Sequence, residues 1–461
     1  MDGVRTLAQR QAWAEQQFGT AELGDARRTR RLVRLAGQMA GNSSGSIPQQ
    51  TERAADMKAA YRLFASEDVT HAAILAPHLE QTRRVAGQRP QIFLVQDSAQ
   101  LNFTSHRHCQ GLGPIGRGDL RGLHQQNVLA VDPVTRRPLG LMYQAHPSRA
   151  RRGAGHDRAA KHKVPLGERE SYWWIAAIRT IGPPPSGVCW VHVGDRAEDV
   201  FGVYAECRRQ DVDWLIRAAR DRKVQTPGGE YRLMAYARRL PSQATRRLTV
   251  RAKSSGALRE AELSVAAGPV TIPPSRYEPQ YRGREPIACG VVRVWEAEPP
   301  AGAETLEWIL LTSLACDTPA RALFASQGYS LRWLVEEFHK AEKTGCNVEM
   351  RRLEHVERLK PLIGLLSVLA VWLLMLKYAA RDEPDQPATA LFDEATVGVM
   401  ARYLKRPANW LTLGEFWRGI GRLGGHPGRK RDGPVGWLRA WKGWQSFQLI
   451  LLGARLVLGD G

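Results

Sequence analysis

The stretch GYSLRWLVEEFHKAEK, residues 328–343, decides the reading of this chain. It falls inside an apolar-periodic segment that predicts one helix over about residues 319–347. At roughly 100° per residue, Tyr329, Arg332, Glu336 and Lys343 lie at about 0°, 300°, 340° and 320°, a single arc of about 60°. Leu331, Leu334, Val335, Phe338 and Ala341 occupy the opposite side and suit a core. A carboxylate flanked by a phenol and two cations is what a metal-dependent phosphodiester site needs. Glu336 would serve a divalent ion, Arg332 and Lys343 the phosphates, and Tyr329 would donate a hydrogen bond. The same face also reads as an exposed salt-bridged surface, because Arg332 and Glu336 form an i,i+4 pair. Geometry alone leaves both readings open.

Working outward, residues 91–216 change to short β-branched and aromatic runs interrupted by helical segments, which predicts a mixed α/β sheet. Asp97 ends the apolar run 92–95 as a strand-end carboxylate, and Asp195 follows the buried-strand pattern 188–193 and a turn at Gly194. Taken singly, each reads better as an N-cap or turn residue. Taken together, two strand-end acids in one sheet can share a cation. Phosphodiester chemistry with two Mg²⁺ ions about 3.5–4 Å apart asks for at least three acidic side chains, which Asp97, Asp195 and Glu336 would provide. An all-oxygen donor set suits Mg²⁺ and requires no His or Cys. The six cysteines form no C-x-x-C pair, which argues against zinc and against a disulfide framework and suits a reducing cytosol.

The 461 residues carry 66 Lys and Arg against 46 Asp and Glu, a net charge of +20 that attracts polyanions, nucleic acid first among them. With 43% hydrophobic and 24% charged residues, a disordered basic tail and a polytopic membrane protein are both excluded. Residues 7–85 read as a small helical domain whose second helix carries Arg27, Arg30, Arg31 and Arg34 along one face, with Leu32, Val33, Ala36 and Met39 turned away. That stripe suits phosphate contact or a plain solvated face. The loop 147–163 holds six Lys or Arg against one Asp and is expected to face solvent. Residues 226–312 alternate in short runs and predict a β-rich insertion. The apolar run 362–376, at about 15 residues, is shorter than the roughly 20 of a bilayer span and predicts a buried helix within 356–378. Residues 402–442 interleave ten Lys or Arg with Trp410, Trp417, Trp437 and Trp441, which favours nucleic acid or a helical partner. The first residues lack the pattern of a signal peptide, so a cytoplasmic, nucleoid-associated protein is expected.

The spacing Tyr329, two residues, Arg332, three, Glu336, six, Lys343 carries a family resemblance. With LGDARRTRRLV (23–33), AAYRLFAS (59–66), QDSAQLNF (96–103), GDRAEDV (194–200), LEWILLTS (306–313) and GRLGGH (421–426), the chain resembles the bacterial cut-and-paste DDE transposases of the insertion-sequence-four group, the transposon-five branch in particular. The resemblance implies an α/β ribonuclease-H-like catalytic domain with a β-strand insertion, flanked by all-helical N-terminal and C-terminal domains. The implied bounds are 1–88 for end binding, 89–380 for catalysis with the insertion at about 222–314, and 381–461 for dimerisation. It implies Mg²⁺, two ions with Mn²⁺ able to substitute, held by Asp97, Asp195 and Glu336. Tyr329, Arg332 and Lys343 would grip end phosphates, with Trp333 and Lys340 also contacting DNA. Trp308 would stack a flipped base, unless it is a core aromatic on a strand. Arg27, Arg28 and Arg31 fall on the end-recognition helix, and Arg217 on a DNA-contacting arginine. Ala219 stands where a relative has a phosphate-binding lysine, so Arg220 or Arg222 would take over that role or it is missing here; Ala99 departs from the hydroxyl residue usual after the first Asp. Implied partners are the terminal inverted repeats, target DNA and a second copy on DNA, with no membrane. The implied chemistry is nicking, hairpin formation and joining of the 3′ ends. The alternatives are a catalytically silent or inhibitory DNA-binding protein and a structure-selective nuclease of the same fold.

Overall fold

In a computed structural model, which describes residues 10–51, 53–148, 169–251, 258–275, 278–300, 302, 305–429 and 435–458, the described residues begin with five helices. These are α1 (Arg10–Phe18), α2 (Ala26–Gly41), α3 (Ile47–Gln50), α4 (Ala54–Phe64) and α5 (His71–Ala86). Asp25 caps α2 by accepting from the Arg27 amide at 2.8 Å, and Thr70 caps α5 through the Ala73 amide at 3.1 Å. The helical period of α2 buries Leu32, Val33, Leu35, Ala36 and Met39 and leaves Arg27, Arg30, Arg31 and Arg34 outside.

Among the described residues a single sheet of twelve strands follows, mixed in direction and ordered β2-β3-β1-β5-β6-β12-β11-β10-β7-β8, with β4 on β3 and β9 on β10. The strands are β1 (Gln91–Asn102), β2 (Gly113–Pro114), β3 (Arg121–Asp132), β4 (Arg137–Ala145), β5 (Cys189–Gly194), β6 (Asp213–Arg217), β7 (Lys223–Thr226), β8 (Gly229–Arg232), β9 (Ala244–Arg251), β10 (Leu258–Ile272), β11 (Ile287–Glu296) and β12 (Glu307–Thr312). Helices α6 (Ser171–Ile181) and α7 (Phe201–Arg209) flank β5, and α8 (Leu233–Arg239) follows β8. The β-rich segment is no separate layer, because β12 pairs with β6 and continues the sheet. Alternation along β1 sends Phe93, Val95 and Leu101 into one core and Ile92 and Leu94 into another, the latter shared with Trp174 and Ile178 of α6 and Tyr204 of α7.

The remaining helices are α9 (Pro319–Ser330), α10 (Trp333–Lys340), α11 (Val356–Asp382), α12 (Glu394–Leu404), α13 (Leu413–Leu423) and α14 (Trp437–Leu458). At 27 residues α11 is longer than expected and passes the length and composition test for a membrane span, yet 89% of its most apolar window is buried inside the protein. Its apolarity serves a core on several sides: α5 and β4 pack on it, and Trp372 meets Trp13 of α1 at 5.2 Å between ring centroids. The tryptophans of the basic C-terminal segment also turn inward for the most part. Trp437 and Trp441 are buried with Phe416 and Phe447, and only Trp410 of the four is exposed. Of the loop 147–163, residues 149–163 lie outside the described residues.

The single helix expected over 319–347 is instead three pieces. α9 stops at Ser330, and the chain turns through i→i−3 bonds from Leu331 to the Gly328 carbonyl (3.0 Å) and from Arg332 to the Tyr329 carbonyl (3.1 Å). Part of the cause is local: the Ser330 hydroxyl donates back to the Ser326 carbonyl at 3.3 Å, a contact that bends helices. After α10 comes a π-helical turn, Ala341–Gly345. The face drawn on a straight wheel is therefore rotated at both ends. Tyr329 is buried at 6% exposure rather than presented to solvent.

Candidate active site

Strand register builds the site. The parallel pairing of β1 with β5 ends at Val95 opposite Val193, so two residues further on Asp97 and Asp195 leave neighbouring strands on the same side. Asp195 stands at the end of its strand. Asp97 does not: β1 runs on to Asn102 with β3 alone beside it, and Asp97 faces Asn127 in that ladder. The carboxylate is tolerated in mid-strand because β5 stops there and opens a crevice. Each acid spends one oxygen locally, Asp97 on the Ser98 amide (2.8 Å) and Asp195 on the Ala197 amide (2.7 Å). Both the turn-anchoring role and a role toward a ligand are thus open to them.

α10 lies over this crevice and supplies Glu336, and Arg332 precedes it in the turn. The Arg332 guanidinium donates to Glu336 at 2.5 Å and reaches to 3.8 Å from Asp97. Burial, followed by the charge of Asp195, pushes the Asp97 carboxyl up to about 6; the Ser98 amide and Arg332 oppose this and Glu336 adds to it. The three acids thus share one electrostatic field. Among the described residues, however, no three His, Cys, Asp or Glu side chains are gathered closely enough to hold one metal ion. The donor set, carboxylate oxygens from three elements, has the chemistry that a hard divalent ion takes.

Cations and aromatics ring the acids. Tyr329 sits within electrostatic reach of Arg332, Arg217 and Asp195, its hydroxyl raised chiefly by burial. Trp308 on β12 lies over it, half-buried, with centroids 6.1 Å apart at 53°. Arg217 donates to the Glu307 carbonyl at 3.0 Å. Trp333 is 52% exposed beneath the Lys340 ammonium, which stands 4.8 Å from its ring. Lys343, in the π turn, is drawn away to the Gln100 carbonyl (2.6 Å) and Glu349 (3.3 Å). Arg222 pairs with the buried Asp199, which also accepts from the Ala219 amide at 2.7 Å; the Arg220 side chain is exposed.

Two features escape a reading of the sequence. Glu198 is fully buried behind the aspartates, where Gln96 donates to it at 2.6 Å and its Oε1 has no partner. Burial and the charges of Asp195 and Asp97 hold its carboxyl well above the usual range. Gly194 makes this seat possible, since a Cβ there would stand 2.1 Å from the Glu198 carboxyl carbon. Nothing in the run of acids at 195–199 marks Glu198 as the inward one. Behind α10, Asn127 joins His339 (2.9 Å), Gln125 (3.2 Å) and Gln144 (2.7 Å), and Glu342 accepts from Gln125 (3.0 Å) and Ser367 (2.7 Å). Each polar residue looks like an ordinary surface position until the fold buries it.

The arginine stripe of α2 divides. Arg27 pairs with its own cap, Asp25; Arg28 is spent on Asp68 and the Leu23 carbonyl; Arg34 meets Asp56 at 3.0 Å; Arg30 and Arg31 are exposed. These helices are fastened to the site, for Ser43 donates to the Gly345 carbonyl at 2.9 Å and Arg351 to the Ser43 carbonyl at 2.8 Å. Residues 10–69, which span α1 to α4, match a family model described as transposase DNA-binding. That match supports a DNA-binding transposase, with DNA as its partner.

Proposed function

We propose that the chain is a DDE transposase of the insertion-sequence-four group, with a ribonuclease-H-like catalytic core, that cuts and rejoins transposon ends. The observation that carries this is that Asp97, Asp195 and Glu336 line one crevice near enough to act on one another's charge, ringed by Arg332, Arg217, Tyr329 and Trp308, in a chain whose first helices match a transposase DNA-binding family. The strand order β4-β3-β1-β5-β6, with only the β1, β5 and β6 neighbours parallel, supports the ribonuclease-H-like part of the reading.

Asp97, Asp195 and Glu336 would hold Mg²⁺ or Mn²⁺, which when bound supplies activation of the attacking hydroxyl and stabilisation of the leaving oxygen. The chain's own residues do the positioning. Arg30 and Arg31 on α2 offer exposed guanidiniums to the end duplex, and Lys340 and Trp333 present a charge and a flat apolar ring at the mouth of the crevice. Tyr329, buried between two guanidiniums, holds Arg332 and Arg217 at the crevice floor, where scissile phosphates would lie. Trp308 offers a stacking surface for a base displaced by hairpin formation, which offsets the cost of unstacking. A second copy would complete the assembly on paired ends.

The test is cleavage of a labelled fragment carrying the gene with its native flanks, in Mg²⁺ and in EDTA. Discrete cuts at flanking repeats with a hairpin-sized intermediate are expected, and loss of all cuts in Asp97→Asn, Asp195→Asn and Glu336→Gln while the variants still bind the fragment. Retained cleavage in any variant overturns the metal assignment. Repeat-specific binding with no cleavage in either Mg²⁺ or Mn²⁺ would favour a silent DNA-binding protein, and cuts at branched or random sites a nuclease.

A further inference from the structure

The acids are near enough to feel one another's charge, yet they do not converge on one point, and a single side chain lies between two of them. Arg332 donates to Glu336 on its own helix at 2.5 Å and stands 3.8 Å from Asp97 on β1, with 17% of its side chain exposed. Three other cations nearby are engaged elsewhere, and Arg196, beside Asp195, is exposed. Lys343 is bound to Gln100 and Glu349, Lys340 lies on Trp333, and Arg217 donates to the Glu307 carbonyl. His339 is kept neutral by burial and faces Asn127. Arg332 sits at the break between α9 and α10, where its amide bonds the Tyr329 carbonyl at 3.1 Å.

We infer that Arg332 is a place-holding cation: in the DNA-free protein its guanidinium fills the gap between Asp97 and Glu336 that a divalent ion would take. A phosphate of the DNA end then draws it out, so that metal and DNA load together. This rests on the metal role proposed above for the trio. The physical basis is charge. Two carboxylates in a half-buried crevice repel each other unless a cation stands between them, and one guanidinium or one divalent ion can do that, not both. A phosphate competes well for a guanidinium because it accepts two parallel hydrogen bonds. Linkage then makes the effect reciprocal, so whatever factor DNA adds to metal affinity, metal adds to DNA affinity. The consequence is protection: an enzyme without an end in place holds no loaded metal with which to cut.

The experiment uses the full chain without DNA and follows free Mn²⁺ by its paramagnetic resonance signal. Arg332→Gln is expected to bind Mn²⁺ at least tenfold more tightly than wild type, and Arg332→Lys, which restores a cation, is expected to bind as weakly as wild type. Asp97→Asn combined with Arg332→Gln should abolish the gained site. Circular dichroism melts establish that each variant is folded, and Arg332→Met, which also removes the cation and is expected to gain the same tighter site, carries the test should the Gln variant unfold. Equal affinity in wild type and Arg332→Gln, lost in both with Asp97→Asn, would overturn the place-holder and leave the metal site standing. Tight binding in Arg332→Gln that Asp97→Asn does not remove would overturn the metal site itself. No binding in any variant would overturn the place-holder, since removing Arg332 would then have opened nothing. A reciprocal arm measures fluorescence anisotropy of a labelled duplex of the gene's own flank in EDTA and in Ca²⁺. Wild type should gain more from Ca²⁺ than Arg332→Gln does, and equal gains would count against coupling.

Discussion

Replacing Glu342 by Gln should stabilise the protein at neutral and alkaline pH and flatten the pH dependence of its stability. Glu342 is fully buried in the π turn that follows α10, where its Oε1 accepts from Gln125 at 3.0 Å and from Ser367 at 2.7 Å and its Oε2 has no partner. Burial pushes its carboxyl up to about 7, against an ordinary value of 4.5; the bonds from Gln125 and Ser367 and the charge of Lys343 restrain the rise. Because the folded state holds the proton to higher pH than the unfolded chain, it binds more protons between those values. Stability therefore falls as pH rises from about 4.5 to about 7, and stays lower above that. The gap amounts to about 3 kcal/mol once both states are ionised. Gln keeps the acceptor that Gln125 and Ser367 use and removes the charge. The assay is urea unfolding of both proteins at pH 5 and pH 8. The variant's advantage should grow by about 2.5 kcal/mol between the two. An advantage that does not change between pH 5 and pH 8 would refute the reasoning, because it would mean that water or a cation already neutralises Glu342.

Other consequences follow from packing and charge. Gly328→Ala would place a Cβ 2.2 Å from the ring of Phe93, a fully buried residue, so α9 must lift from β1; a loss of about 1–3 kcal/mol is expected, together with slower cleavage as Arg332 and Glu336 shift, and a variant that melts and cuts like wild type would disprove the contact. Arg30→Ala and Arg31→Ala should each weaken binding to the gene's flanking DNA and reduce the slope of log affinity against log salt by about 0.9 for each phosphate no longer neutralised; unchanged slopes would remove α2 from the interface. Trp308→Ala should leave the first nick intact and depress hairpin formation by the equivalent of about 1–3 kcal/mol, seen as nicked product accumulating on a denaturing gel; normal hairpin yield would return Trp308 to a packing role.

Patterns repeated every two or three to four residues are legible in the chain alone. The buried face of α2, the alternation along β1 and the mixed α/β class all follow from local periodicity, because each residue's burial there is set by its own place on a regular element. The segment 319–347 is legible as helical but not as broken, since the break depends on Ser330 turning back on Ser326 and on what packs beneath. That β7 to β12 extend the same sheet as β1 and β5 is invisible as well, because a strand's composition does not say which partner it meets. Residue types alone mark Asp97, Asp195 and Glu336 as candidates. Their neighbourhood is decided by the register of β1 against β5 and by the docking of α10, which also sets Arg332 between two acids. The sequence by itself thus determined which elements form and which residue types they offer. Only the tertiary structure decided which of those residues meet, because contacts between segments far apart in the chain depend on pairing register and packing, which no local period encodes.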